Sequence, residues 1–132
     1  MTGDSETEDL PVYAVRLSVQ AQQDVTNAAF RLAELTQNPV LAEQWAEGLY
    51  IEVGKLATNP RGYVVAEHET RRFRRETRQM VYRRSASSVA YRILFAVSKE
   101  GADGPTVTIL HVRHGGRKPL TREEARQILA NQ

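Results

Sequence analysis

A chain of 132 residues, 41% hydrophobic and 26% charged, is sized for one soluble domain that buries roughly two-thirds of its unfolded surface. It has no cysteine, which excludes disulfides, thiolate metal sites and cysteine nucleophiles, and no apolar run approaches the ~18 residues of a membrane span. The net charge of +2 hides an asymmetry: residues 1–9 carry Asp4, Glu6, Glu8 and Asp9 with no base, so the remainder holds 18 basic against 12 acidic groups.

Residues 1–10 are polar, acidic and aperiodic, and are expected to form a disordered arm ahead of one domain spanning 11–132. The acidic start does not have the pattern of a signal peptide, and a cytoplasmic location is expected. Val12–Leu17 then predicts a strand with Tyr13, Val15 and Leu17 on one face. Ser18 is placed to cap a helix over Val19–Thr36, whose stripe is Ala21, Val25, Ala28, Leu32 and Leu35. Asn38 and Pro39 open a second helix running to about Ala57, with Leu41, Trp45, Leu49, Val53 and Leu56 as its stripe. The short connection makes the two helices an antiparallel hairpin. Gly48 and Gly54 each weaken the second helix, and close packing against a neighbour is a reason for them. The sequence leaves open whether Tyr63–Ala66 is a strand or a loop, and whether the charged run Glu67–Glu76 is a helical turn or a loop.

From Arg78 the period changes to two. Arg78–Arg83, Tyr91–Val97 and Thr106–Arg113 predict three strands. In the last, Val107, Ile109, His111 and Arg113 alternate with Thr108, Leu110, Val112 and His114, so both faces carry apolar residues. A helix pair covering one face of the sheet would leave Arg92, and either His111 with Arg113 or His114, open on the other. Thr121-Arg122-Glu123-Glu124 is a capping box for a short helix to about Ala130. The order gives an α+β fold: N-terminal strand, helical hairpin on a mainly antiparallel four-stranded sheet, and a short C-terminal helix.

Fifteen of the 18 basic residues are arginine, and seven of these fall between Arg71 and Arg84. Such clustering is the footprint of a polyanionic partner, with a solvated face paired to Glu67, Glu69 and Glu76 as the plainer alternative. His111 and His114, three apart on a strand, point to opposite faces, so no metal site is expected; no cofactor is expected either. The acidic arm is complementary to the basic sheet and would weaken target binding at low salt by folding back over it.

Several ordered segments resemble the RelE/ParE superfamily of type II toxin–antitoxin toxins. They are Tyr13-x-Val15-x-Leu17-Ser18 with Ala21 and Asp24, then Trp45, Leu49, Leu56 and Pro60. Arg78-Gln79-Met80-Val81-Tyr82, Tyr91-Arg92-Ile93-Leu94-Phe95 and Ile109-Leu110-His111-Val112-Arg113-His114-Gly115 complete the set. The resemblance implies a growth-inhibiting toxin of the plasmid-stabilisation type, neutralised by a small acidic antitoxin lying across the hairpin and basic sheet. Its target would be DNA gyrase, poisoned without hydrolysis, or ribosome-associated mRNA, cut by an endoribonuclease. For the ribonuclease, Arg92 matches a functional arginine by motif position, with an ion pair to Glu67 or Glu69 as its plainer role; Arg113 and Arg117 lie where another falls, and His111 and His114 are the acid/base candidates. Arg71, Arg72, Arg74, Arg75, Arg78, Arg83 and Arg117 are candidates for target or antitoxin binding. Two features depart from the RelE-like pattern: Thr121 stands where those enzymes carry a tyrosine, and an arginine run replaces their lysine pair. The alternative is a non-catalytic basic module, binding nucleic acid or protein on the same fold.

Overall fold

The computed structural model describes residues 12–85, 88–99 and 104–132; the expected acidic arm and parts of two strand connections lie outside the described residues. Strand β1 (Ala14–Leu17) leads through Ser18 into helix α1 (Val19–Thr36). Asn38 caps α2 (Pro39–Gly54), which tightens into a 3₁₀ turn at Lys55–Ala57. A short helix α3 (Glu67–Phe73) precedes β2 (Arg78–Tyr82), β3 (Tyr91–Ser98) and β4 (Thr106–His114), and α4 (Arg122–Ala130) ends the chain. The sheet order is β1-β4-β3-β2, parallel between β1 and β4 and antiparallel elsewhere. The α+β architecture expected from the sequence is therefore the one observed. Among the described residues no helix is long and apolar enough to cross a membrane.

The sheet is covered on both faces. The hairpin α1–α2 packs Ala21, Val25, Trp45, Leu49, Val53 and Leu56 onto Met80, Tyr82, Ile93, Phe95, Val107, Ile109 and Val112. On the other face, α3 and α4 pack Phe73, Ala125 and Ile128 onto Leu94, Ala96 and Leu110. Each large aliphatic or aromatic side chain so buried contributes roughly 1.5–3 kcal/mol. The expectation of one open face is thus corrected, because the charged run after Ala66 folds into α3 and closes it. Leu35, assigned to the α1 stripe, is instead 77% exposed and lines an open groove with Leu32 and Leu41.

The simple alternation assigned to β4 is also corrected. Phe95 pairs with Ile109 and Leu94 with His111, so Leu110 is an extra residue bulged into β4. Ile109 and Val112 both face the hairpin while Leu110 joins the opposite core. The bulge flips the parity of the strand end: Arg113 turns to the α3–α4 side with its cross-strand partner Arg92, and His114 to the hairpin side against Tyr91.

Where β1 stops, Ser18 and the first turns of α1 close the edge of β4. The Ser18 N–H donates to the Ile109 carbonyl (3.0 Å) while the Ser18 hydroxyl accepts from the Ala21 N–H, capping α1. One turn on, Asp24 Oδ2 accepts from the Val112 N–H at 2.9 Å, standing in for a missing strand.

Gly48 has a specific packing reason, and Gly54 none. A Cβ at position 48 would lie 2.3 Å from the Tyr82 hydroxyl, which is buried and donates to the Trp45 carbonyl at 2.8 Å; nothing lies within 4 Å of one at position 54. We expect Gly48→Ala to lower stability by about 1–2 kcal/mol despite its better helix propensity. In Gly48→Ala/Tyr82→Phe the two losses should be less than additive, as denaturant midpoints would show.

Candidate functional site

Arg92 and Arg113 are direct cross-strand partners on the face covered by α3 and α4. Like charges so placed repel, and partial burial amplifies the repulsion. Each is neutralised by a carboxylate from a different covering helix. From α3, Glu69 takes both terminal nitrogens of Arg92 at 2.9 and 3.1 Å, while Gln79 on β2 takes its Nε at 2.6 Å. From α4, Glu124 receives Nη1 and Nη2 of Arg113 at 3.2 and 3.4 Å, and the Lys118 carbonyl receives Nη2 at 2.6 Å. Glu124 is also the closing residue of the α4 capping box, accepting from the Thr121 N–H at 3.2 Å, and it pairs with Arg117 at 2.9 Å.

His111 continues this polar chain. Its Nδ1 lies 2.7 Å from Asp24 Oδ2, and its Nε2 lies 3.4 Å from Arg113 Nη1. A guanidinium nitrogen only donates, so Nε2 accepts. Asp24–His111–Arg113–Glu124–Arg117 therefore runs from α1, under the end of β4, to α4. His111 and Arg113 are buried, at 4% and 2% exposure; of the four catalytic candidates only His114 is exposed. Its Nδ1 accepts from the Gly116 N–H at 3.0 Å.

Burial pushes the Glu69 carboxyl up, but hydrogen bonds and charge from Arg92 overcome it and leave it below the ordinary carboxylate range. The hydrogen bond from Arg113 holds Glu124 low as well, against a smaller opposing effect of burial. Both groups contribute stability present above their unfolded value near 4.5 and lost as pH falls through the depressed folded values.

The remaining candidates separate into three places. Arg78 and Arg83 serve the chain itself: Arg78 donates to the Arg61 and Tyr63 carbonyls at 3.1 and 2.6 Å and pairs with Glu76, and Arg83 donates to the Ser88 carbonyl. His114 and Arg117 border a cleft at the open end of the sheet with Asp24, Asn27, Arg31 and Tyr91. This cleft continues into an apolar groove lined by Leu32, Leu35, Leu41, Trp45 and Val89, with Arg31 and Arg84 on its rim. Burial raises the Tyr91 phenol above its ordinary value, with Arg31 acting the other way, so at neutral pH it is a hydroxyl donor. Arg71, Arg72 and Arg74 face α4 from α3 and its C-terminal cap. Arg75 is exposed beside them.

Sequence reasoning did not find the structural parts of Asp24, Gln79 and Glu124, nor the cleft positions of Arg31, Tyr91 and Arg84. Glu124 had a signal as the fourth residue of the capping box, but Asp24 meets Val112 across 88 positions with no local mark.

Removing one partner of the Arg92–Glu69 pair is expected to be far worse than removing both. Arg92→Met should cost about 3 kcal/mol by leaving Glu69 buried and unpaired, whereas Arg92→Met/Glu69→Leu should recover most of the loss. Chemical denaturation checks this, and repeated between pH 6 and 3 it should show a shallower loss of stability in the double variant than in wild type.

The family model described as the ParE toxin of type II toxin–antitoxin system, parDE, matches residues 15–119, from β1 through the turn after β4 and short of α4. No curated protein matches the chain. With the match spanning the hairpin, the whole sheet and both cross-strand arginines, the chain belongs to the ParE toxin family of type II toxin–antitoxin systems.

Proposed function

We propose that this toxin arrests growth by poisoning DNA gyrase through binding, without hydrolysis of mRNA. The observation that carries this choice is the state of Arg92 and Arg113. Cleavage of RNA by its own 2′-hydroxyl needs a cation on the pentacovalent phosphate and groups to take and give protons. Here both sheet arginines are committed to internal carboxylates, and His111 is buried between Asp24 and Arg113. Thr121, in place of the tyrosine of RelE-like enzymes, caps α4. Gripping a phosphate with these residues would require breaking the contacts that hold α3 and α4 to the sheet. Induction in a bacterial host lacking antitoxin should produce growth arrest with trapped gyrase–DNA cleavage complexes and intact translated mRNA. Cuts mapped within translated mRNA, with no trapped gyrase, would reverse the assignment.

Membership of a type II family implies an antitoxin partner. We place its main contact on the helical hairpin and the groove beside it. Phe30, Leu35, Val40 and Ile51 are 67%, 77%, 58% and 66% exposed on α1 and α2, an unusual density of apolar surface. Leu32, Leu41, Trp45 and Val89 continue that surface inward, and Arg31 and Arg84 flank it. An amphipathic helix with acidic flanks fits this pattern, its apolar stripe in the groove and its carboxylates on the rim. Leu35→Glu is expected to weaken antitoxin binding at least tenfold in calorimetric titration while changing the toxin's own stability by under about 0.5 kcal/mol.

A further inference from the structure

Helices α3 and α4 leave between them an open cleft of about 620 Å³, and its lining is unlike the rest of the surface. Arg71, Arg72 and Arg74 line it from α3 and its cap, Arg122 and Arg126 from α4, and His68 lines it as well. Glu123 pairs with Arg126, but among the described residues Arg71, Arg72, Arg74 and Arg122 form no ion pair. Four uncompensated guanidiniums around one cleft repel each other unless an anion lies between them.

Two further features show the arginines held in position. The Nε of Arg72 and the Nε2 of His68 both donate to the Leu120 carbonyl, at 3.0 and 2.8 Å, tying α3 to the entry of α4. The tether leaves the two terminal nitrogens of Arg72 without a partner among the described residues. Arg74 caps α3 with φ of 57°, a left-handed conformation that suits glycine and carries a steric penalty for a long side chain. The chain thus places a charge at a backbone position where glycine would be more stable.

We propose that this cleft binds the phosphodiester backbone of a nucleic acid. Its cationic lining contains no lysine, and guanidinium forks on two opposed walls can make paired hydrogen bonds to phosphate oxygens from both sides. Arg122 and Arg126 lie one helical turn apart, a spacing that follows a backbone rather than a single ion. An acidic protein segment would also need apolar anchors, and the cleft offers little: Phe73 is 3% exposed and Leu129 stands at the rim at 37%. The site does not depend on the toxin's target, and its failure would leave the gyrase assignment untouched.

Fluorescence anisotropy of the purified full chain with a labelled DNA duplex, and with a single strand of the same sequence, tests this across a salt series. Wild type should bind at least one of them with log affinity falling linearly in log salt, and the preferred form tells whether the cleft takes duplex or single strand. Arg71→Glu/Arg122→Glu should lower affinity at low salt by tenfold or more and flatten the slope by about 2. Arg74→Gly guards against a loss that reflects misfolding: it should flatten the slope by about 1 while keeping or raising the melting temperature. Unchanged slopes in these variants would place nucleic acid elsewhere and overturn the site. So would absence of DNA binding by wild type, or polyglutamate displacing the DNA at equal charge concentration.

Discussion

Two arginines directly opposite each other on the central strands set the terms for the rest of the molecule. Arg92 and Arg113 meet on one face of the sheet, where neither can be left unpaired under a covering layer. Glu69 and Glu124 meet that demand from α3 and α4, so the ion pairs that neutralise the arginines also dock the two helices. The bulge at Leu110 makes the arrangement possible, because without it Arg113 would point into the hairpin core. Asp24 and His111 extend the same polar chain to α1, which ties the hairpin layer to the opposite layer through the end of β4. Pairs of this kind often add little net stability over an apolar substitute. What they supply here is position: a slipped register would strand a charge.

This chain of pairings also sorts the basic residues by availability. Arg78, Arg92 and Arg113 have their terminal nitrogens turned to carbonyls and carboxylates of the chain itself. Arg31 and Arg84 border the apolar groove of the hairpin, and Arg71, Arg74 and Arg122 border the cleft between α3 and α4. Charge is therefore offered to partners on two separate surfaces, one with apolar anchors beside it and one without. A protein helix suits the first and a polyanion backbone the second.

Much of the fold was legible in the sequence because it is written in local signals. The caps Ser18, Asn38 and Thr121, the 3.6-residue stripes of α1 and α2, and the period-two runs after Arg78 each mark an element by its own chemistry. The second covering layer was not read, although it left a trace. Ile93-Leu94-Phe95-Ala96 is buried throughout, and an uninterrupted apolar run of this kind belongs to a strand covered on both sides. The bulge was illegible because alternation in β4 offers apolar residues to both faces, so a one-residue shift breaks no visible pattern. At the candidate site, Arg92, His111 and Arg113 were found as notable residues, and Glu69 was one of two carboxylates offered to Arg92, but the partners of His111 and Arg113 were not found. Glu69 lies among acidic and basic neighbours that look equally solvated, and only the turn of α3 aims it inward.

Arg92 and Arg113 are proposed to build the toxin without touching its target. The most direct measurement is growth arrest on induction of Arg92→Met/Glu69→Leu in a host lacking antitoxin, with folding confirmed by circular dichroism. Arrest at the wild-type level of soluble protein is predicted, because the pair can be replaced by apolar packing and three-quarters of the Arg92 side chain is covered. A folded, soluble variant that no longer arrests growth would contradict it and return Arg92 to the functional surface.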